Sequence, residues 1–181
     1  MRHSYLFALL LLVLPLVSCE KDNDVSPEEE TEFVPGEVLV GIKETTMVPQ
    51  TFALVNSRSL EILAISIPMY NSNLPSDSSA YVERALNAKP YINDKGWKAS
   101  VIRNTNTGKL TVNMRLMNMN LANQRDWLAT VQQLQLQEQP TATSYHLKVP
   151  VGQEKKWVAE LQQQSEVRWA ELNNIVHIQL H

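Results

Sequence analysis

Side chains that could catalyse a reaction or bind a metal are few and scattered in this chain of 181 residues. Three histidines follow the N-terminal segment, and none has the spacing of zinc ligands: His146, His177 and His181. No serine lies in a Gly-x-Ser-x-Gly elbow. Four carboxylates show no pairing signature: Asp77, Glu83, Asp94 and Asp126. The residue types therefore predict a binding protein, with no catalytic residue, no metal site and no cofactor.

The cysteine is the residue whose surroundings do indicate a chemistry. Cys19 is the only cysteine, so an internal disulfide is excluded. It follows Arg2 and an apolar run at residues 5–17, which is shorter than the about 20 apolar residues that span a bilayer. The sequence Leu-Val-Ser-Cys at residues 16–19 resembles the lipobox of bacterial lipoproteins, in which a diacylglycerol is attached to the cysteine sulfur. The resemblance implies a signal peptide at residues 1–18 and a membrane anchor on Cys19.

An acidic segment separates Cys19 from the rest of the chain. Residues 20–32 contain seven acids, one base and a single apolar residue, Val25. Such a segment cannot bury enough surface to offset its conformational entropy, so we expect residues 19–32 to form a disordered tether. The acidic run also resembles the surface-export signal of Bacteroidota lipoproteins; a plain solvated linker is the alternative. We expect the protein in the cell envelope, at the outer membrane, facing either the periplasm or the cell surface.

The charge of residues 33–181 bears on the class of partner. Removing Arg2, Lys21 and the seven tether acids from the 16 bases and 19 acids of the chain leaves 14 bases and 12 acids. This near-neutral balance lacks the clustered basic residues of a nucleic-acid surface. No nucleic-acid partner is predicted.

The hydrophobic periodicity of residues 33–181 predicts alternating strands and helices. Strands are predicted at residues 38–42, 60–67, 97–103, 109–119, 145–149 and 167–180. Helices are predicted at residues 51–60, from Asp77 or Ser78 up to Pro90, from Asn123 up to Pro140, and at residues 153–164. The pattern is typical of an α+β fold with a mainly antiparallel sheet, helices on one face and ferredoxin-like lobes. It is compatible with one domain or with two lobes, at about residues 33–95 and 96–181.

Large apolar side chains in these elements are predicted to fill the core. The strand containing Met114, Met117 and Met119 alternates apolar and polar residues. The four tryptophans are far apart and mostly on apolar faces: Trp97, Trp127, Trp157 and Trp169. We expect both sets to pack in the core. The alternatives are a groove for a hydrophobic partner, lined by the methionines, and stacking of the tryptophans on sugars.

Three segments resemble the prodomain of subtilisin-like proteases, especially of the fervidolysin type. Residues 33–43, Phe-Val-Pro-Gly-Glu-Val-Leu-Val-Gly-Ile-Lys, are similar to the opening strand of that family. Residues 147–152 and the helix after them are similar to its penultimate strand and helix. Residues 167–176 are similar to its final strand, with Ala170, Glu171 and Asn173 at matching positions and Leu172 where the family has proline.

The resemblance implies a mode of binding. In that family the prodomain lays its sheet on surface helices of the protease and threads an extended tail through the active site. Carried over, the tail would be Ile178, Gln179, Leu180 and His181. The alternative is an ordered edge strand whose Ile175, Val176 and Ile178 pack in the core. The leading hypothesis is a non-enzymatic envelope lipoprotein that binds or inhibits a subtilisin-like protease; the other is an accessory surface lipoprotein without protease contact.

Overall fold

A computed structural model describes residues 32–92 and 96–175 of the chain. Within these ranges the chain forms nine strands and four α-helices. The strands are β1 Phe33–Ile42, β2 Glu61–Ser66, β3 Met69–Ser72, β4 Ser100–Arg103, β5 Leu110–Asn113, β6 Leu116–Met119, β7 Leu136–Glu138, β8 Thr143–Lys148 and β9 Val167–Asn174. The helices are α1 Val48–Asn56, α2 Ser79–Asn87, α3 Leu121–Gln133 and α4 Glu154–Gln162, and a short 3₁₀ turn, Ser76–Ser78, precedes α2.

Five strands form one antiparallel sheet in the order β6-β2-β8-β1-β9. Taken without β6, the chain runs β1-α1-β2, then β8-α4-β9, and the four strands lie in the order β2-β8-β1-β9. Each helix therefore links two strands that are separated by one antiparallel neighbour. This is the split β-α-β arrangement of a ferredoxin-like fold.

The residues between β2 and β8 build a second antiparallel sheet, in the order β4-β5-β3-β7. The predicted α+β class with antiparallel strands is confirmed. The strands form two sheets, whereas the sequence indicated one. Each sheet takes strands from both sides of residue 95. The sheets therefore do not follow the boundary suggested for two lobes.

The core lies on one face of the five-stranded sheet. Alternate residues Val38 and Val40 of β1 are at most 1 % exposed, and they pair across the sheet with Leu147 and Tyr145 of β8. Helices α1 and α4 cover this face with apolar side chains that are also buried, among them Val48, Phe52, Val55 and Leu161. All buried hydrophobic residues of the described chain lie between Val38 and Ala170, within the compact unit Thr31–His181. That unit carries its own core.

A half-buried carboxylate connects the second sheet to helix α1, which covers the first sheet. Both side-chain oxygens of Glu138 in β7 lie 3.0 Å from the backbone N of Val48, the first residue of α1. A carboxylate at a helix N-terminus is favourable because the free N–H groups there carry partial positive charge. Burial nevertheless raises the pKa of Glu138, against the opposing effects of the Val48 N–H and the Tyr70 hydroxyl.

Several sequence-based elements are confirmed. The strands predicted at residues 38–42, 60–67 and 145–149 and the helix at residues 153–164 are present within a few residues of their expected ends. The turn between residues 103 and 110 forms the expected hairpin, with Gly108 at a positive φ of 68°. Helix α1 begins three residues before the predicted start, because Pro49 fits the first turn of a helix.

Other elements differ from the predictions. The strand predicted at residues 109–119 is broken into β5 and β6, which belong to different sheets. The N-cap of α3 is Asn120, whose side chain accepts the Asn123 N–H, so the cap predicted at Asn123 was wrong. Helix α3 ends at Gln133, and Gln135 at a φ of 48° reverses the chain into β7, a strand that the periodicity did not indicate.

The prediction that the tryptophans and methionines pack in the core is confirmed for only some of them. Trp127 is fully buried and packs edge-on against Tyr70, with ring centroids 5.4 Å apart. Met114 and Met119 are also buried, whereas Met117 is half-buried. Trp97 is 57 % exposed, so its assignment to the core was wrong. Trp157 and Trp169 are half-buried.

Candidate protein-binding face

The face of the five-stranded sheet opposite the helices is exposed in part, and we call it the open face. One cross-strand row traverses all five strands through the register pairs of this sheet: Met117, Ala64, His146, Leu39 and Glu171. Leu39, His146 and Met117 are half-buried and Glu171 is exposed, whereas Ala64 is only 1 % exposed. The accessible part of the open face therefore combines apolar and polar side chains on either side of Ala64.

A glycine and a tryptophan shape the next row of the open face. Gly41 in β1 lies opposite Trp169 in β9, and a β carbon added at Gly41 would overlap the indole of Trp169. The indole therefore lies across the β1 backbone instead of standing away from the sheet. A glycine in a strand commonly marks such a close approach, and an aromatic neighbour covers the backbone that it leaves bare. The result is a flat aromatic patch on the open face.

A polar cluster adjoins this patch and is formed by β1, β8 and β9. The Nε2 of His146 lies 2.7 Å from Oε2 of Glu37, and Asn173 Nδ2 donates to the same oxygen at 2.7 Å. Asn173 Nδ2 and His146 Nε2 are 3.4 Å apart. The side chains of Glu37 and His146 are 26 % and 25 % exposed. The three groups hold one another in fixed orientations while their outer atoms remain accessible to a partner.

A buried carboxylate fixes the start of β1 beside this cluster. Glu154, the first residue of α4, is 2 % exposed, and its Oε1 accepts the N–H of Gly36 at 2.6 Å and of Gly152 at 2.9 Å. Its own backbone N–H, followed by those of Gly36 and Gly152, lowers the pKa of the Glu154 carboxyl, because these donors stabilise the charged form. The contact ties the loop before α4 to the residue that precedes Glu37.

The first and last described residues, Glu32 and Ile175, lie side by side. Phe33 at the start of β1 pairs with Asn174 at the end of β9, and the Ile175 N–H donates to the carbonyl of Glu32 at 2.7 Å. The chain therefore enters and leaves this sheet at the same corner. Ile175 is 42 % exposed, which is contrary to its assignment to the core in the edge-strand alternative.

The residues that carried the family resemblance are brought together. The segments at residues 33–43, 147–152 and 167–176 contribute to β1, β8 and β9, which are three adjacent strands. Of the matching positions, Ala170 is buried on the core side, Glu171 lies on the open face and Asn173 belongs to the polar cluster. The predicted protease-contact tail, Ile178 to His181, and the predicted lipidation site, Cys19, lie outside the described residues.

The remaining candidate residues do not join this face. Asp126, in α3, accepts hydrogen bonds from Lys89 Nζ at 2.8 Å and from the Tyr91 hydroxyl at 2.6 Å. The two contacts lower the pKa of Asp126, with Lys89 the larger cause. Asp77 lies in the 3₁₀ turn and Glu83 is exposed on α2. Asp94, His177 and His181 lie outside the described residues.

Sequence reasoning missed the residues that give the open face its character, namely Glu37, Leu39 and Gly41. The available signal was the alternation within β1, where these residues interleave with Val38, Val40 and Ile42. The pairing of Gly41 with Trp169 had no such signal, because it depends on the register between strands far apart in sequence.

In residues 32–92 and 96–175, no group of three or more histidine, aspartate, glutamate or cysteine side chains is arranged to hold a metal ion. None of the helices in those same ranges is long and apolar enough to cross a membrane. Comparison of the chain with protein-family models, with curated proteins and with solved structures gives no match.

Proposed function

We propose that this protein is a non-enzymatic envelope lipoprotein whose folded unit binds and inhibits a subtilisin-like protease in the manner of a prodomain. The observation that carries the proposal is the open face of the ferredoxin-like sheet. The prodomain-like segments lie in three adjacent strands of this sheet, β8, β1 and β9. In the family that these segments resemble, the corresponding sheet is the surface that rests on the protease.

The chemistry of the open face supports protein binding. Aromatic and aliphatic side chains that are only half-buried, such as Trp169 and Leu39, are typical anchors of protein interfaces. The polar cluster of Glu37, His146 and Asn173 offers oriented hydrogen-bonding groups next to these anchors. A partner surface with apolar side chains and a few polar groups would complement this arrangement.

The flat extent of the open face sets a lower bound on its contact area. Four interstrand spacings of about 4.8 Å and six residues at about 3.3 Å give a planar area of about 400 Å², before the relief of the side chains is counted. A stable complex buries about 800 Å² of accessible surface on each partner. In the proposal, Ile178 to His181 add a second contact by binding as an added strand.

The proposed anchor on Cys19 would restrict where the partner meets this protein. A flexible tether covering residues 20–32 has a mean reach of about 20 Å. Because Glu32 and Ile175 are hydrogen-bonded, the proposed tail would start at the same corner as the tether. The proposed complex therefore forms close to the membrane, at the outer membrane of the envelope.

The test is a titration of the Thr31–His181 unit against a panel of subtilisin-like proteases, following residual peptidase activity on a small substrate. We expect inhibition of at least one protease. Leu39→Lys should weaken it about tenfold or more, since it places a charge in the centre of the interface. Glu171, the cross-strand neighbour of residue 39, can form an ion pair with the new lysine, so the variant should still fold. The midpoint of urea unfolding measures whether it does.

Ile102→Lys is the matched control, because Ile102 is an exposed aliphatic residue of the other sheet. It should leave inhibition unchanged. Removal of residues 176–181 should weaken inhibition as well. Absence of inhibition across the panel, or equal losses in Leu39→Lys and Ile102→Lys, would contradict the protease-binding proposal and leave an accessory lipoprotein as the remaining hypothesis.

A further inference from the structure

A second candidate site lies where the chain passes between the two sheets. The chain crosses at residues 67–68, between β2 and β3, and again at residues 114–115, between β5 and β6. The two crossings are adjacent, because Ile65 pairs with Leu116 on one side and Met69 with Asn113 on the other. They border a groove of about 400 Å³, which is within the size range of small-molecule sites.

The backbone of Ile67 in this groove is strained. Ile67 has a φ of 49°, which is a rare conformation for a β-branched residue. Its side chain is 62 % exposed, so burial does not compensate for the strain. The bend itself needs only the backbone conformation, which glycine or asparagine adopts at less cost. The isoleucine side chain is therefore not accounted for by the fold.

Trp97 and Met114 supply the rest of the apolar lining. Trp97 is 57 % exposed although it lies beside the groove, and Met114 is buried beneath it. Together with Ile67 they present an aromatic ring, a thioether and an aliphatic chain to one space. Such a lining suits an extended apolar chain rather than a polar ligand.

Among the described residues that line the groove, two are charged, and both are basic. Arg115 lies over the ring of Trp97, with its guanidinium carbon 5.8 Å from the ring centroid, and Lys98 is the second cation. Nε of Arg115 is buried and has no hydrogen-bond partner among the described residues. Since the protein encloses Nε, an anion in the groove would have to accept from the terminal nitrogens of the guanidinium. No acidic residue is among the described residues that line the groove.

We propose that this groove binds a carboxylate with an apolar chain, namely a medium-chain fatty acid. The carboxylate would accept from Arg115 and lie near Lys98, and the chain would pack against Ile67, Trp97 and Met114. The charge complementarity selects an anion, and the apolar lining selects a ligand whose remaining atoms are hydrocarbon. The site involves neither the central row of the open face nor the protease, so it stands independently of the proposed function.

The experiment measures binding of decanoate to the Thr31–His181 unit by calorimetry, at concentrations well below micelle formation. The neutral 1-decanol is the reference for the apolar chain alone, and decyltrimethylammonium is the reference for charge. We expect one saturable decanoate site per chain, with affinity about tenfold or more above that of decanol, as for one charge-assisted hydrogen bond. The ammonium compound should bind more weakly than decanol.

Two pairs of variants locate the site. Arg115→Gln should reduce decanoate affinity to that of decanol, whereas Arg103→Gln, at the end of β4 and outside the groove, should have no effect. Ile67→Ala should weaken decanoate and decanol alike, and Ile102→Ala should weaken neither. Urea unfolding of each variant separates loss of binding from loss of folding.

Three outcomes would overturn the proposal: no saturable decanoate binding, equal affinity for decanoate and decanol, or equal effects of Arg115→Gln and Arg103→Gln. Binding of a peptide with an apolar C-terminal residue in place of decanoate would assign the groove to a protein terminus and would also reject the fatty-acid ligand.

Discussion

The indole of Trp169 occupies the space that a side chain at Gly41 would need, although the two residues are separated by more than a hundred positions in sequence. The contact joins β1 to β9 across the open face. It explains why glycine occurs in a strand whose neighbours are valine, leucine and isoleucine.

Gly41→Ala should reduce the free energy of unfolding by about 1–3 kcal/mol, the usual range for overpacking. The added methyl group must displace the indole of Trp169 or the backbone of β1. In Trp169→Ala, where that space is free, the same substitution should cost little. Urea unfolding of the four proteins of this double-mutant cycle measures the coupling. Equal costs of Gly41→Ala in both backgrounds would contradict the contact.

Glu154→Gln should lower the free energy of unfolding at neutral pH. It should also reduce the amount by which that free energy falls when the protein is acidified. The pKa of Glu154 is lowered in the folded protein, so its contribution is present above the unfolded pKa of about 4.5 and is lost as the pH falls through the folded value. Thermal unfolding between pH 3 and 7 should therefore show a shallower acid slope for Glu154→Gln than for the parent chain. Glu83→Gln, which removes an exposed carboxyl of α2, is the control and should leave the slope unchanged.

Ile67→Gly should raise the free energy of unfolding by about 1 kcal/mol, because it relieves the left-handed strain at a residue whose side chain is mostly exposed. The same change at Ile102, in a regular strand with a similar exposed fraction, should instead destabilise the protein by about 1 kcal/mol. The urea unfolding midpoints of the two variants, compared with that of the parent chain, test this prediction. A loss of stability in Ile67→Gly would show that the isoleucine side chain does support the fold.

Cys19→Ser should abolish incorporation of a labelled fatty acid when the full chain is expressed in a bacterium with lipoprotein processing. The thiol is required because the lipid is attached to sulfur, and a hydroxyl at this position is not a substitute. The labelled band on a gel and the membrane fraction of the protein are the two measurements. Ser18→Ala, next to the cysteine, is the control that should still be labelled. Undiminished labelling of Cys19→Ser would reject the anchor.

The periodicity predicted the ferredoxin-like part of the fold well, because β1, β2, β8, α1 and α4 have simple burial patterns. Val38 and Val40 alternate with the more exposed Glu37 and Leu39, and the burial of one face fixes the register of the strand. The second sheet was harder to predict. Its strands β3 and β7 have four and three residues, too few for a period to be visible.

The candidate sites depend on relationships that a single sequence does not contain. The cluster of Glu37, His146 and Asn173 needs three strands in a particular register. The groove depends on Ile67 taking a conformation that its residue type disfavours, and on the break between β5 and β6. Residue propensity predicts an extended conformation for Ile67, because isoleucine favours strands. It also predicts that the strand continues through residues 114–115, where the structure breaks it.

The hydrogen bond between Ile175 and Glu32 has a mechanical consequence. Strands β1 and β9 are antiparallel, and the ends at Phe33 and Asn174 form the first rung of their ladder. A force that pulls the two termini apart therefore loads this ladder one rung at a time, as in unzipping, rather than shearing all rungs together. Among the described strands β9 pairs with β1 alone, and α4 also packs against it, with Gln162 Nε2 donating to the Ala170 carbonyl at 2.8 Å. Such a load would separate β9 from β1 starting at Asn174, up to the part of β9 that α4 holds, while β1 and β8 stayed paired.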